Sequence, residues 1–126
     1  MATDNVEVSR SAMDLTTCWE HLSSQQQAMC RLNFQTAFQA WKEKGADLRM
    51  HVHHDGDINV IKAFLTLLVM NGFKQTNVSF DKQRSHVVVL MGNKGEGQPT
   101  LWFTFETTAE AKEVANEVAA EVLGMM

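Results

Sequence analysis

One apolar stretch constrains the fold more than any other feature of this chain, and it is residues 57–72, DINVIKAFLTLLVMNG. Within its run INVIKAFLTLLVM only Asn59, Lys62 and Thr66 are polar, and their i, i+3, i+7 spacing follows one narrow stripe of a helix. Such a helix is packed on most of its circumference, so we predict a buried central helix. The run is shorter than the ~20 apolar residues that cross a bilayer, so no membrane partner is predicted.

The length and composition favour one globular domain. The chain has 126 residues, of which 44% are hydrophobic, and this is enough for a core of its own. We expect a flexible N-terminus over residues 1–10 and a single domain over 11–126, with a helical part at 11–45 and a sheet and helix core at 46–126. A net charge of −4 gives no general attraction to nucleic acid, so nucleic acid is not an expected partner.

The cysteines and the N-terminal residues indicate a cytoplasmic protein. Cys18 and Cys30 are too few for a secreted disulfide framework, and the chain has no CxxC pair of the kind that binds zinc. The N-terminal sequence MATDNVEVSR has no apolar core of the kind that secretory signals contain. We therefore expect reduced thiols and a cytoplasmic location.

The patterns along the chain predict an α+β fold with the element order ααβαβββα. Ser11 with Asp14 opens a first helix, and Ser24 with Gln27 forms a capping box for a second that ends before Gly45. Alternating apolar residues then predict a strand over 48–54. The central helix follows, with Asp57 as its cap and Asn71-Gly72 as its stop.

The C-terminal half predicts a mostly antiparallel sheet. Three strands are expected, at 74–81, 86–91 and 100–106, and their short connections suit an antiparallel meander. A last helix is predicted to begin at Thr107, which would form a capping box with Glu110, and to end at about Leu123. The central and C-terminal helices are expected to pack on the sheet.

The strands of the meander carry apolar residues on both faces. We group Val88, Leu90 and Trp102 on a second face that would be too apolar to stand in water. Trp41 and the other aromatic residues of the N-terminal helices could cover that face. A second copy of the chain or another protein is the alternative.

The segment HVHHDGD, residues 51–57, is the strongest candidate for chemistry. His51 and His53 lie on the same side of a strand, and Asp55 could add a carboxylate, so a divalent transition metal is one hypothesis. The alternative is an exposed strand edge that leads into a turn and a helix cap, with no cofactor.

We favour a non-enzymatic function, because no local sequence motif identifies a catalytic nucleophile and both cysteine thiols lie on apolar helix faces. The main hypothesis is a small acidic protein-interaction module, of the kind found among phage or viral accessory inhibitors and immunity proteins, acting as a homo-oligomer. The alternative is a metal-dependent or nucleotide-handling activity at residues 51–57. The candidate partner-binding residues are Trp102, Val88, Leu90, Trp41, Glu113 and Glu117.

Overall fold

The computed structural model describes residues 19–52 and 58–120. Their elements are α1 (Ser24–Lys44), β1 (Leu48–Val52), α2 (Ile58–Met70), β2 (Gln75–Phe80), β3 (Val87–Asn93), β4 (Thr100–Glu106) and α3 (Ala111–Val118). The α+β class and the order of these elements are confirmed. The first predicted helix was expected to reach Leu22; of its residues 19–22, which are described, Trp19 and Glu20 are helical, whereas His21 and Leu22 lie in a turn. The flexible segment 1–10 and the cap Asp57 lie outside the described residues.

The four strands form one sheet in the order β1-β4-β3-β2. The strands β2, β3 and β4 pair as the antiparallel meander that the short connections predict. The first strand, β1, is the edge strand next to β4 and runs parallel to it. The sheet is therefore mostly antiparallel, with one parallel pair at an edge.

The central helix α2 is buried, as its sequence predicts. The Phe64 ring lies 5.1 Å from the rings of both Phe103 and Phe105, measured between centroids, and meets each of them edge-on. One polar residue of the predicted stripe does not face water, because Thr66 is fully buried and its hydroxyl has no hydrogen-bond partner. The polar stripe is therefore shorter than predicted. The buried residues of α2 are Val60, Ile61, Ala63, Phe64, Leu65, Thr66 and Leu68.

The three helices pack on the same face of the sheet. From α1, Phe34 stacks on Phe103, the residue that α2 also contacts, with 5.8 Å between ring centroids. The buried face of α3 belongs to the same core and contacts β2 and β3 near Val78 and Phe80. One side of the sheet thus carries the whole helical layer of the described chain.

Two predicted helix starts are wrong. The capping box of α1 is formed by Ser23 and Gln26, one residue before the predicted pair. The last helix begins at Ala111 because the Thr107 hydroxyl donates to the Ala109 carbonyl at 2.6 Å instead of capping a helix.

No helix within residues 19–52 and 58–120 is both long enough and apolar enough to span a bilayer.

Candidate functional site

The face of the sheet opposite the helices is the candidate site, and the strand pairing defines its residues. Met91 lies opposite Trp102, and Val89 lies opposite Thr104, between β3 and β4. Because side chains alternate along a strand, their neighbours on β1 and β2 project to the same side. We call this surface the helix-free face. Its central residues are Arg49, His51, Asn77, Ser79, Val89, Met91, Trp102 and Thr104.

The predicted grouping of Val88 and Leu90 with Trp102 is wrong. Val88 lies opposite Phe105 and Leu90 lies opposite Phe103, so both point toward the helices. Both side chains are 0% exposed and have no surface to offer a partner. The residues of β3 nearest to Trp102 on its own face are Val89 and Met91.

Arg49 and Trp102 form the most specific contact on the helix-free face. They are direct cross-strand neighbours, and the guanidinium carbon of Arg49 lies 4.7 Å from the centroid of the Trp102 ring. This is a cation–π contact, and it holds the planar guanidinium against the indole. Within the described part of the chain Arg49 has no carboxylate partner. Its donors therefore remain able to receive a carboxylate from another molecule.

His51 and Thr104 lie beside this pair on the same face. The Thr104 hydroxyl is 3.2 Å from Nδ1 of His51 and also donates to the Met50 carbonyl at 3.4 Å. These contacts tie the side chain of the exposed His51 to the neighbouring strand. They give the helix-free face a polar border along β1.

The predicted metal site cannot be assembled from the described residues. His51 lies on the exposed side of β1, while His53 and Asp55 fall in residues 53–57, outside the described ranges. In the part of the chain that is described, no three His, Cys, Asp or Glu side chains form a group that could hold a metal ion. A divalent metal at residues 51–57 therefore stays a prediction.

The remaining predicted site residues lie elsewhere. Trp41 is only 6% exposed and packs against Phe73 with 5.2 Å between ring centroids, so it belongs to the core. Glu113 and Glu117 are exposed residues of α3, on the helical side of the sheet. They cannot share a flat contact surface with Trp102, which points to the opposite side.

Of the central residues of the helix-free face, only His51 and Trp102 were predicted as site residues, and Arg49 and Met91 are among those that sequence reasoning missed. The alternation in β1 does separate Arg49 from Leu48 and Met50, and this signal was sufficient to place it outside the core. No comparable signal existed for Met91, because the strand VVVLM is apolar at every position.

Comparison of the chain with known protein families, with curated proteins and with solved structures found no match.

Proposed function

We propose that this chain is a small cytoplasmic protein-binding module that acts by holding a partner protein against its helix-free face. Accessory inhibitors of phages or viruses and immunity proteins are the functional class that we infer. The observation that carries the proposal is that no helix among residues 19–52 and 58–120 covers this face of the sheet, which is apolar at its centre and polar at its borders.

The composition of the face supports this function. The half-buried residues Val89, Met91 and Trp102 occupy the two central strands, while exposed polar residues of β1 and β2 lie on either side. Tryptophan, methionine and arginine are enriched in protein interfaces, and an apolar centre within a polar rim is the usual arrangement there. A sheet face that served only as a solvated surface would carry mostly polar residues on its central strands, whereas here Thr104 is accompanied by Val89, Met91 and Trp102.

A position-specific crosslink tests the proposal. The photo-crosslinking amino acid p-benzoylphenylalanine replaces Met91 in one variant and Leu32 in a matched control, and both are irradiated in the native host. Leu32 is the appropriate control because it is a large apolar side chain, 66% exposed, on the outer side of α1. We expect a discrete adduct only from position 91. Equal adducts from both positions, or none from position 91, would contradict the proposal.

The substitution Trp102→Ala provides the second half of the test. Removing a tryptophan at the centre of an interface should weaken partner binding by more than about tenfold, and the crosslink at position 91 should disappear. The control Leu32→Ala should leave both unchanged. Circular dichroism verifies that each variant is folded, so that a loss of binding is not a loss of structure.

We also propose that a second copy of the chain is one partner that this face accepts. Light scattering at increasing protein concentration measures the assembly, and Trp102→Ala should lower its mass to that of a monomer. A strict monomer at every concentration would contradict self-association. Binding of a different partner protein would then be judged from the crosslinking result alone.

A further inference from the structure

A lysine of the β3–β4 connection lies over three aromatic rings of the helical layer. Nζ of Lys94 is 5.2 Å from the ring centroid of Phe38, 5.4 Å from that of Phe73 and 6.0 Å from that of Trp41. The three centroids are themselves 5.2 to 5.8 Å apart. The ammonium group and the rings therefore form a nearly regular tetrahedron. We call these three rings the aromatic cradle.

The backbone around the aromatic cradle also favours a positive charge. Trp41 lies in the last turn of α1, and α2 ends at Met70, two residues before Gly72. A methyl group on Gly72 would lie 3.9 Å from Nζ of Lys94, so the ammonium is close to the C-terminal end of α2. The C-terminal end of a helix carries partial negative charge, which stabilises a cation.

Lys94 is held in the cradle by the rings and not by polar partners. It has no ion pair among residues 19–52 and 58–120, and the connection is shaped by Asn93 instead. The Asn93 side chain accepts from the Gly95 amide at 2.7 Å and donates to the Gln98 carbonyl at 2.8 Å. The ammonium group can therefore leave the cradle by side-chain rotation without breaking the hydrogen bonds of the connection.

The cradle also contains an unused donor. The indole Nε1 of Trp41 is buried and has no hydrogen-bond partner, which is uncommon because a buried tryptophan usually finds an acceptor. Lysine supplies only donors and cannot satisfy this group. An alkylammonium group likewise has no acceptor, so this N–H would report a bound cation through the change around the Trp41 ring and not through a hydrogen bond.

We propose that the aromatic cradle of Phe38, Trp41 and Phe73 is a binding site for an alkylammonium head group, and that Lys94 occupies it in the absence of such a ligand. Aromatic residues that surround a cation are the recognised means of binding quaternary ammonium and methylated lysine. This site lies among the helices, away from the helix-free face, so it is a second binding function independent of the first.

The test uses tetramethylammonium as the probe and the full chain with Lys94→Ala. Titration is followed by NMR through the indole N–H signals, with equal concentrations of sodium chloride as the ionic-strength control. We expect a saturable shift of the Trp41 signal in the variant and at least about tenfold weaker binding in the unaltered chain, where Lys94 competes. The Trp102 signal, on the opposite side of the sheet, should not move. Trp41→Phe assigns the signal.

The matched control is Lys42→Ala, because Nζ of Lys42 also lies over the Phe38 ring, at 5.1 Å, but contacts neither of the other two rings. The Lys42→Ala variant should bind tetramethylammonium no more tightly than the unaltered chain does. Lys94→Ser provides a second variant that empties the cradle, should Lys94→Ala fold poorly. Absence of a Trp41 shift in both Lys94 variants, or equal affinity in the unaltered chain, would overturn the proposal.

Discussion

Gly92 shows how closely single residues are fitted between the sheet and α2. A methyl group at this position would lie 2.7 Å from a Leu68 methyl carbon and 3.0 Å from the Phe73 ring. Such separations are well inside van der Waals contact, so glycine is required by close packing and not by its backbone angles. The position adjoins the aromatic cradle, since the Phe73 ring belongs to the cradle.

We predict that Gly92→Ala destabilises the protein by about 1–3 kcal/mol, because the added methyl group displaces Leu68. Urea unfolding measures the change. Leu68→Ala alone creates a cavity, and we expect it to cost about 2–5 kcal/mol. The double variant should cost clearly less than the two single changes together, since each relieves the other. Simple additivity would show that the two residues do not compete for the same space.

Asp81 begins the turn between β2 and β3 and acts through its charge. Its carboxylate accepts from the Gln83 amide at 2.8 Å and pairs with the Arg84 guanidinium at 2.9 Å. The amide of Gln83, and after it the side chain of Arg84, lower the pKa of Asp81 below its usual value of 3.8. The charged form is therefore favoured by folding.

A lowered pKa makes this turn sensitive to acid. The stabilisation from Asp81 is present above the pKa of the unfolded chain and is lost as pH falls through the lower pKa of the folded chain. We predict that Asp81→Asn reduces the free energy of unfolding at neutral pH and that the difference from the unaltered chain vanishes in acid. Arg84→Ala should retain most of the acid dependence, because the Gln83 amide remains. A difference that is constant with pH would contradict this origin.

At the scale of elements, helices and strands were predictable wherever the apolar period was clear. The strict alternation in β1, the apolar run of α2 and the Asn71-Gly72 stop all gave the right element type, and Gly72 has the positive φ of 86° that such a stop requires. The residues at which the helices begin were harder to predict. Ser23 and Ser24 are each followed three residues later by glutamine, so the capping box could be placed at either position.

The capping box of α1 gives a direct test of this ambiguity. We predict that Ser23→Ala destabilises the protein by about 1 kcal/mol, because it leaves the Gln26 amide without its acceptor. Ser24→Ala is the matched control and should change stability by a few tenths of a kcal/mol at most, since alanine is a good helix former. Thermal unfolding of both variants decides between them. A larger effect at Ser24 would show that the predicted capping box, Ser24 with Gln27, is the one that stabilises the helix.

The candidate site was less predictable than the elements, for a physical reason. The strand β3 is apolar at five successive positions, so its alternation does not reveal which side faces the helices. Only the pairing of Met91 with Trp102 assigns the faces. One polar residue among positions 87–91 would have prevented the wrong grouping of Val88 and Leu90.

At the scale of the whole molecule, the arrangement of layers was the feature that sequence could not supply. The aromatic residues of α1 were suitable cover for either face of the sheet, and they lie on the face that α2 already covers. Phe34 stacks on Phe103 there. All three helices thus lie on one side, and the opposite face of the described structure has no helix. Which side a helix takes depends on connections and packing that no local pattern records.

The metal hypothesis belongs to the intact molecule and is testable without a partner. If residues 51–57 hold a divalent transition metal, intact-mass spectrometry of protein purified without chelator should show one bound ion. A combined His51→Ala and His53→Ala variant should lose it, since Asp55 alone does not complete a metal site. His21→Ala is the control, because it removes an exposed histidine far along the chain. Protein that carries no ion would end this hypothesis.

The parallel edge of the sheet also fixes the order in which the chain can finish folding. Among the described residues the strand β1 pairs only with β4, and Leu48 pairs with Leu101 across more than half of the described chain. Pairing at such sequence separation is slow, because the entropy of closing the intervening loop is lost before any contact is gained. On the ribosome, β1 must wait until β4 has been synthesised. We therefore expect nascent chains that end before β4 to expose Leu48, Met50 and Val52, and to depend most on chaperones at that stage.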